Sequence, residues 1–159
     1  MNMRFLTRLA LVVSMAAGGV MTSGCWTAHP HSAYRAIHRY AIDGDVVAAA
    51  AELAKFPDEI NLPEDDGLTP LHLAAENCHT NVVTLLLDRG AAINVVANDK
   101  SSPLHLAAQE GCTEVVALLL ERGAKANERD DQKRTPLDRA ELWHQDATAK
   151  ILRQHGGVE

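Results

Sequence analysis

The segment TPLHLAAENCHTNVVTLLLDRGAAIN, starting at residue 69, returns 33 positions later as SPLHLAAQEGCTEVVALLLERGAKAN. A period of this length confines a chain to stacked supersecondary units. No unit buries its apolar face alone, and each relies on its neighbour to cover it. A third copy, TPLDRAELWHQDATAKILRQHGG, opens at residue 135 and decays towards its end. Before the first, IHRYAIDGDVVAAAAELAKFPDEIN, from 37 to 61, keeps the outline with one extra residue near Pro57. Four units near 34–66, 67–99, 100–132 and 133–159 therefore fill one domain over residues 34–159.

The repeated residues have local physical reasons. Thr69, Ser102 and Thr135 offer N-cap hydroxyls, and Pro70, Pro103 and Pro136 follow at the first helical position, where a missing N–H costs nothing. Leu71, Leu73, Ala74 and Ala75 then give an inner helix a face with small residues, which lets neighbouring units approach closely. A second helix is expected from about Asn81 to Arg89 with Val82, Val83, Leu85 and Leu86 inward, and its copy from about Glu114 to Arg122. Gly90 and Gly123 end these helices in the left-handed conformation. Aromatic residues make up only 4% of the chain, so small and straight side chains must build the core, as packed helices allow.

The 33-residue period, the Thr-Pro-Leu-His opening, the Leu-Leu-Leu run and the closing Gly-Ala…Asn resemble the ankyrin repeat. The resemblance implies an all-α solenoid of about four helix-turn-helix repeats joined by β-hairpin loops. It also implies that His72 and His105 hydrogen-bond the turn before their helix, that Asp138 fills this slot in the last unit, and that His79 is structural. A metal role for these histidines is disfavoured, because they lie on different repeats with no ligand pair at helical spacing. The resemblance further implies a module without catalytic function or cofactor, binding another protein through hairpin tips and the concave face of the inner helices. By position that surface comprises Asp65, Asp66 and Leu68 with Glu76 and Asn77; Asn98, Asp99, Lys100 and Ser101 with Gln109 and Glu110; and Asp131, Gln132 and Arg134 with Leu142 and Trp143. It is mostly acidic, with an apolar and basic end, and fits a basic partner with Trp143 or Arg134 as anchors. Trp143 has a second reading, in which it seals the apolar side of the last unit.

The first 24 residues differ from the rest. Arg4 and Arg8 precede an apolar run from Leu9 to Met21, and no acidic residue occurs before Asp43, the pattern of a secretory signal. The run is too short to span a hydrocarbon core about 30 Å thick. It ends in Thr22-Ser23-Gly24-Cys25, which resembles a bacterial lipobox, with Thr22 where leucine is usual. The resemblance implies acylation at Cys25, a short tether over 25–33, and, with Trp26 rather than aspartate after the cysteine, an outer-membrane lipoprotein facing the periplasm. Ordinary secretory cleavage with a free or paired Cys25 is the alternative. Cleavage after residue 24 removes two basic residues and no acid, so the formal charge falls from −6 to −8. Such a chain repels nucleic acid. The expected state is a monomer.

Cys78 and Cys112 occupy neighbouring units one register apart. Equivalent atoms of stacked helices lie about 8–10 Å apart, and a disulfide needs Cα atoms at about 4.4–6.8 Å. A disulfide and two separate thiols both stay open. Neither cysteine is expected at a helix N-terminus, which argues against a redox enzyme. The carboxylates Glu64-Asp65-Asp66 and Asp130-Asp131 are expected as solvated hairpin groups rather than a calcium or acid–base site. A thiol- or metal-dependent envelope protein using Cys78 and Cys112, and a passive envelope scaffold, stand as alternatives to the interaction module.

Overall fold

A computed structural model of the chain describes residues 36–158. Four helix pairs follow one another: α1 (Ala36–Asp43) and α2 (Val46–Lys55), α3 (Pro70–Glu76) and α4 (Thr80–Asp88), α5 (Pro103–Glu110) and α6 (Thr113–Glu121), α7 (Pro136–Leu142) and α8 (Asp146–Gln154). A 3₁₀ turn, Pro57–Asn61, accommodates the extra residue of the first unit. The inner helices α1, α3, α5 and α7 stack in order, and α2, α4, α6 and α8 form a second layer behind them. The fold is the expected all-helical solenoid.

Each inner helix from α3 onward starts as its sequence dictates. Thr69, Ser102 and Thr135 are the N-caps, proline follows, and the third helical residue returns a hydrogen bond to the cap. Thus His72 Nδ1 accepts the Thr69 amide at 3.1 Å, His105 Nδ1 accepts the Ser102 amide at 3.1 Å, and an Asp138 carboxylate oxygen accepts the Thr135 amide at 2.7 Å. These are capping boxes in which imidazole twice replaces the usual carboxylate. His79 is also structural, with Nε2 2.8 Å from the Ile42 carbonyl of the preceding unit.

The core lies between the layers. Leu71, Leu73, Leu104, Leu106 and Leu137 of the inner helices meet Val82, Val83, Leu86, Val115, Val116, Leu119 and Leu152 of the outer ones, all essentially without solvent contact. Ala74, Ala75, Ala107 and Ala108 are fully buried between successive inner helices, where a larger side chain would force the units apart. Leucine burial of this kind stabilises by about 1.5–3 kcal/mol per side chain.

The loops between pairs project as short hairpins, each closed by the same two backbone hydrogen bonds. Glu64, Ala97 and Asp130 N–H groups donate to the carbonyls of Leu68, Ser101 and Arg134, and Gly67, Lys100 and Lys133 N–H groups donate back to Glu64, Ala97 and Asp130. Gly67, Lys100 and Lys133 take positive φ of 82°, 60° and 64°. Only glycine fits without strain at the first of these. A Cβ there would lie 2.7 Å from the Asn98 backbone nitrogen of the next hairpin. The hairpins are so tight that no strand occurs among the described residues.

Candidate functional site

The hairpin tips form a continuous row, because each bonds to the one before it. Asn98 donates from its backbone to the Asp66 carbonyl at 3.0 Å and from its side-chain amide to the Asp65 carbonyl at 2.9 Å. Asp131 N–H donates to the Asp99 carbonyl at 3.0 Å, which continues the line to the third tip. Asp65, Asp66, Asn98, Lys100, Asp131 and Gln132 are exposed along it. Glu76, Asn77, Asp99, Gln109, Glu110 and Arg134 are half-buried behind it. Two of the three tip-to-tip bonds join backbone to backbone and the third is given by the Asn98 amide, and an edge ordered in this way loses little entropy when a partner binds.

Two positions assigned to this surface from sequence are not on it. Leu68 is 5% exposed and Ser101 fully buried. Both sit at the foot of a hairpin, where the chain turns into the N-cap. Leu68 packs into the core, and the Ser101 carbonyl is taken by the His72 ring of the previous unit. Asn77 stays at the surface, but its amide donates to the Leu73 carbonyl at 2.8 Å and so finishes its own helix.

Asp130 is the largest departure from the sequence reading. Instead of a solvated hairpin carboxylate it is 3% exposed. One oxygen accepts the Gln132 and Arg134 amides at 2.9 and 2.8 Å, and the other accepts Arg139 Nη2 at 2.7 Å and Arg134 Nε at 3.1 Å. Burial by itself would raise its pKa. The Arg134 amide and the Arg139 guanidinium outweigh that and hold it below the ordinary carboxylate value. The equivalent residues are Glu64 and Ala97, so the repeat gave no sign of the change.

Arg139, not singled out from sequence, lies at the centre of this network. It occupies the slot of Leu73 and Leu106 and is 2% exposed. Besides Asp130 it donates to Ser101 Oγ at 2.6 Å and to Gln109 Oε1 at 3.4 Å, and it lies 3.8 Å from an Asp99 oxygen. One buried cation therefore ties the second hairpin, the third hairpin and α5 together behind the row of tips. An arginine in a leucine slot of the repeat was the available signal.

At the C-terminal end of α7, a helix length away from the tips, Leu142 and Trp143 are 58% and 48% exposed. Trp143 is outside the core, while Ala149 and Leu152 of α8 belong to it. Arg134, the other anticipated anchor, is half-engaged through its ion pair to Asp130 at 3.0 Å.

On the opposite ends of the inner helices, Cys78 and Cys112 are joined by a disulfide with Cα atoms 5.1 Å apart. The register offset is a repeated contact. A Cβ on Gly44 would touch the His79 ring at 2.6 Å, and one on Gly111 would collide with the Gln145 side chain. Cys78 takes the same left-handed position as these glycines, with φ of 60°, and Cys112 the same position as His79 and Gln145. The closest approach of two units runs from the helix end of one to the following residue of the next, so the one-residue offset brings the cysteines within disulfide range. Cys112 is moreover the N-cap of α6, contrary to the expectation that neither cysteine meets a helix N-terminus, because α6 begins one residue earlier than anticipated.

Among the described residues no group of three or more His, Cys, Asp and Glu side chains could hold a metal ion. No helix among them is long and apolar enough to cross a membrane. Residues 1–24, the tether over 25–33 and Cys25 lie outside the described residues. A family model described as ankyrin repeats (3 copies) matches residues 20–97 and 90–159.

Proposed function

The chain belongs to the ankyrin-repeat family, and from that premise we propose that it is a non-catalytic recognition module of the bacterial cell envelope. Ankyrin repeats are in general protein-binding modules. The bound surface is the row of hairpin tips with the half-buried side chains behind it, and the partner is an envelope or periplasmic protein presenting a basic face. The carrying observation is the bonding of one tip to the next, which turns three separate loops into one ordered edge bearing Asp65, Asp66 and Asp131 beside Lys100 and Lys133. Asp65, Asp66 and Asp131 supply the field that steers a cationic partner, and Leu142 and Trp143 supply apolar contact at one end.

The envelope setting rests on the N-terminal residues and on the disulfide. Arg4, Arg8 and the apolar run from Leu9 to Met21 have the order of an export signal, and Cys25 follows it as a lipid-acceptor cysteine does. A Cys78–Cys112 disulfide supports an oxidising compartment. More than one acyl chain at Cys25 would hold the module firmly at the outer membrane, since each buried methylene contributes about 0.8 kcal/mol. The module acts as a monomer.

Two experiments test this reading. Labelled palmitate should enter the wild-type protein and not Cys25→Ser, and equal labelling would remove the lipid anchor. Affinity capture from envelope extracts should recover a partner with the wild-type domain and lose it with Asp65, Asp66 and Asp131 changed together to asparagine. A partner captured equally by both would place the site elsewhere.

A further inference from the structure

The contact between the left-handed helix end of one unit and the residue after it in the next occurs at three successive junctions, yet only one is covalent. Gly44 against His79, whose ring also bonds the Ile42 carbonyl, and Gly111 against Gln145 hold without a covalent bond. The middle junction has cysteines in both places. Cys78, like its counterpart His144, adopts a backbone conformation that Gly44 and Gly111 reach without a Cβ, so its side chain is kept there against a local cost. Because the flanking junctions need no covalent bond, the stack has the means to stay folded when the middle one opens.

The two sulfurs differ in access and in chemistry. Cys78 is exposed and Cys112 is 4% exposed. An open cleft of about 220 Å³ lies between them and Thr80, Gly111, Thr113 and Glu114. Cys112 caps the nine-residue helix α6, whose N-terminal dipole favours a thiolate, partly offset by Glu114 in the first turn. Cys78, the exposed residue on the cleft, is thus the side open to attack, and Cys112, at the helix cap, is the better leaving group.

We infer that the Cys78–Cys112 disulfide is a site of thiol–disulfide exchange with a dithiol reductant, and that its opening loosens the junction between the second and third units while the domain stays folded. A thiolate of the reductant forms a bond to Cys78 Sγ, and the Cys78–Cys112 bond breaks with its electron pair leaving on Cys112 Sγ. The second thiol of the reductant then attacks the mixed disulfide and releases Cys78. The dithiol is oxidised by two electrons to a disulfide, and both cysteines take up protons as thiols. Any consequence for recognition rests on the hairpin row being the binding edge; the exchange chemistry does not.

The test uses the oxidised full chain without any partner. It is exposed to reduced glutathione at several concentrations, quenched in acid and mapped by peptide mass, then fully reduced with dithiothreitol for amide hydrogen exchange and circular dichroism. The expected results are a mixed disulfide on Cys78, a rate proportional to thiol concentration and unmoved by dilute urea, an unchanged helical spectrum, and exchange at least tenfold faster over residues 78–112. Cys78→Ser with Cys112→Ser should reproduce the faster exchange without reductant. Adducts on Cys112, a rate independent of thiol and raised by urea, or unchanged exchange in the reduced chain or the double variant would each overturn the inference.

Discussion

His72 and Ser101 belong to different repeats, and Nε2 of the imidazole donates to the serine carbonyl at 3.0 Å. Because Nδ1 already accepts the Thr69 amide, this ring must be neutral with its proton on Nε2. His105 repeats the arrangement one unit later, 3.1 Å from the Arg134 carbonyl. Two hairpins are therefore locked to the helix of the unit before them by a ring that cannot be protonated without losing an acceptor.

The pH dependence follows. Burial lowers the His72 pKa from 6.5 to about 4, and burial with the nearby Arg139 guanidinium lowers that of His105. The unfolded chain takes up these protons first, so the stabilisation is complete above about pH 6.5 and is lost as pH falls towards 4. For His72 the loss is at most about 3 kcal/mol. Asp130, held below its ordinary carboxylate value, adds a loss only at more acidic pH. Urea melts from pH 7.5 to 4 should show the decline, and His72→Ala should be about 1–3 kcal/mol less stable at neutral pH, with a shallower slope. A flat profile above pH 4.5 would contradict the assigned protonation.

Arg139 and Asp130 should be unequal partners. Asp130→Ala leaves a buried guanidinium short of its main acceptor and should cost about 3–5 kcal/mol. Adding Arg139→Leu restores the residue type of Leu73 and Leu106 and should recover much of that loss. Chemical denaturation of the single and double variants measures it, and a double variant as unstable as Asp130→Ala would mean that the arginine is not the source of the penalty.

Leu86→Ala and Leu119→Ala each empty a fully buried site between the layers and should cost about 2–5 kcal/mol. A change under about 1 kcal/mol in urea melts of both would contradict the assigned facing of α4 and α6.

Breaking the disulfide by Cys78→Ser with Cys112→Ser frees a loop with a sequence separation of 34 and should lower stability by about 3–4 kcal/mol on the chain-entropy account. Thermal melts of the oxidised wild type and the double variant, at equal concentration, make the comparison.

The fold was legible because the repeat carries its own caps. Thr69-Pro70 and Ser102-Pro103 mark helix starts, Gly90 and Gly123 mark ends, and the leucines between them mark the facing sides. The site was only partly legible. A repeat reports what equivalent positions share, so it located the tips Asp65, Asn98 and Asp131, but it says nothing of contacts that one unit alone makes. Sequence position alone makes Asp130 a solvated hairpin carboxylate, because its partner Arg139 comes from the next unit. It makes Ser101 a surface residue, because His72, which takes its carbonyl, comes from the unit before. The disulfide was undecided for the same reason, since its geometry depends on a contact across units between non-equivalent positions.

The central claim is that the row of hairpin tips is the recognition edge. Site-specific photo-crosslinking in intact cells tests it most directly, with a benzophenone amino acid placed at Asp65 or Gln132 on the tips, or at Asn81 or Glu121 on the exposed side of the outer helices. The account predicts that the tip positions form an adduct with the same partner protein, that the outer positions form none, and that changing the remaining tip aspartates to asparagine weakens the adduct as their charges are lost. Adducts from Asn81 and Glu121, with none from Asp65 or Gln132, would contradict it.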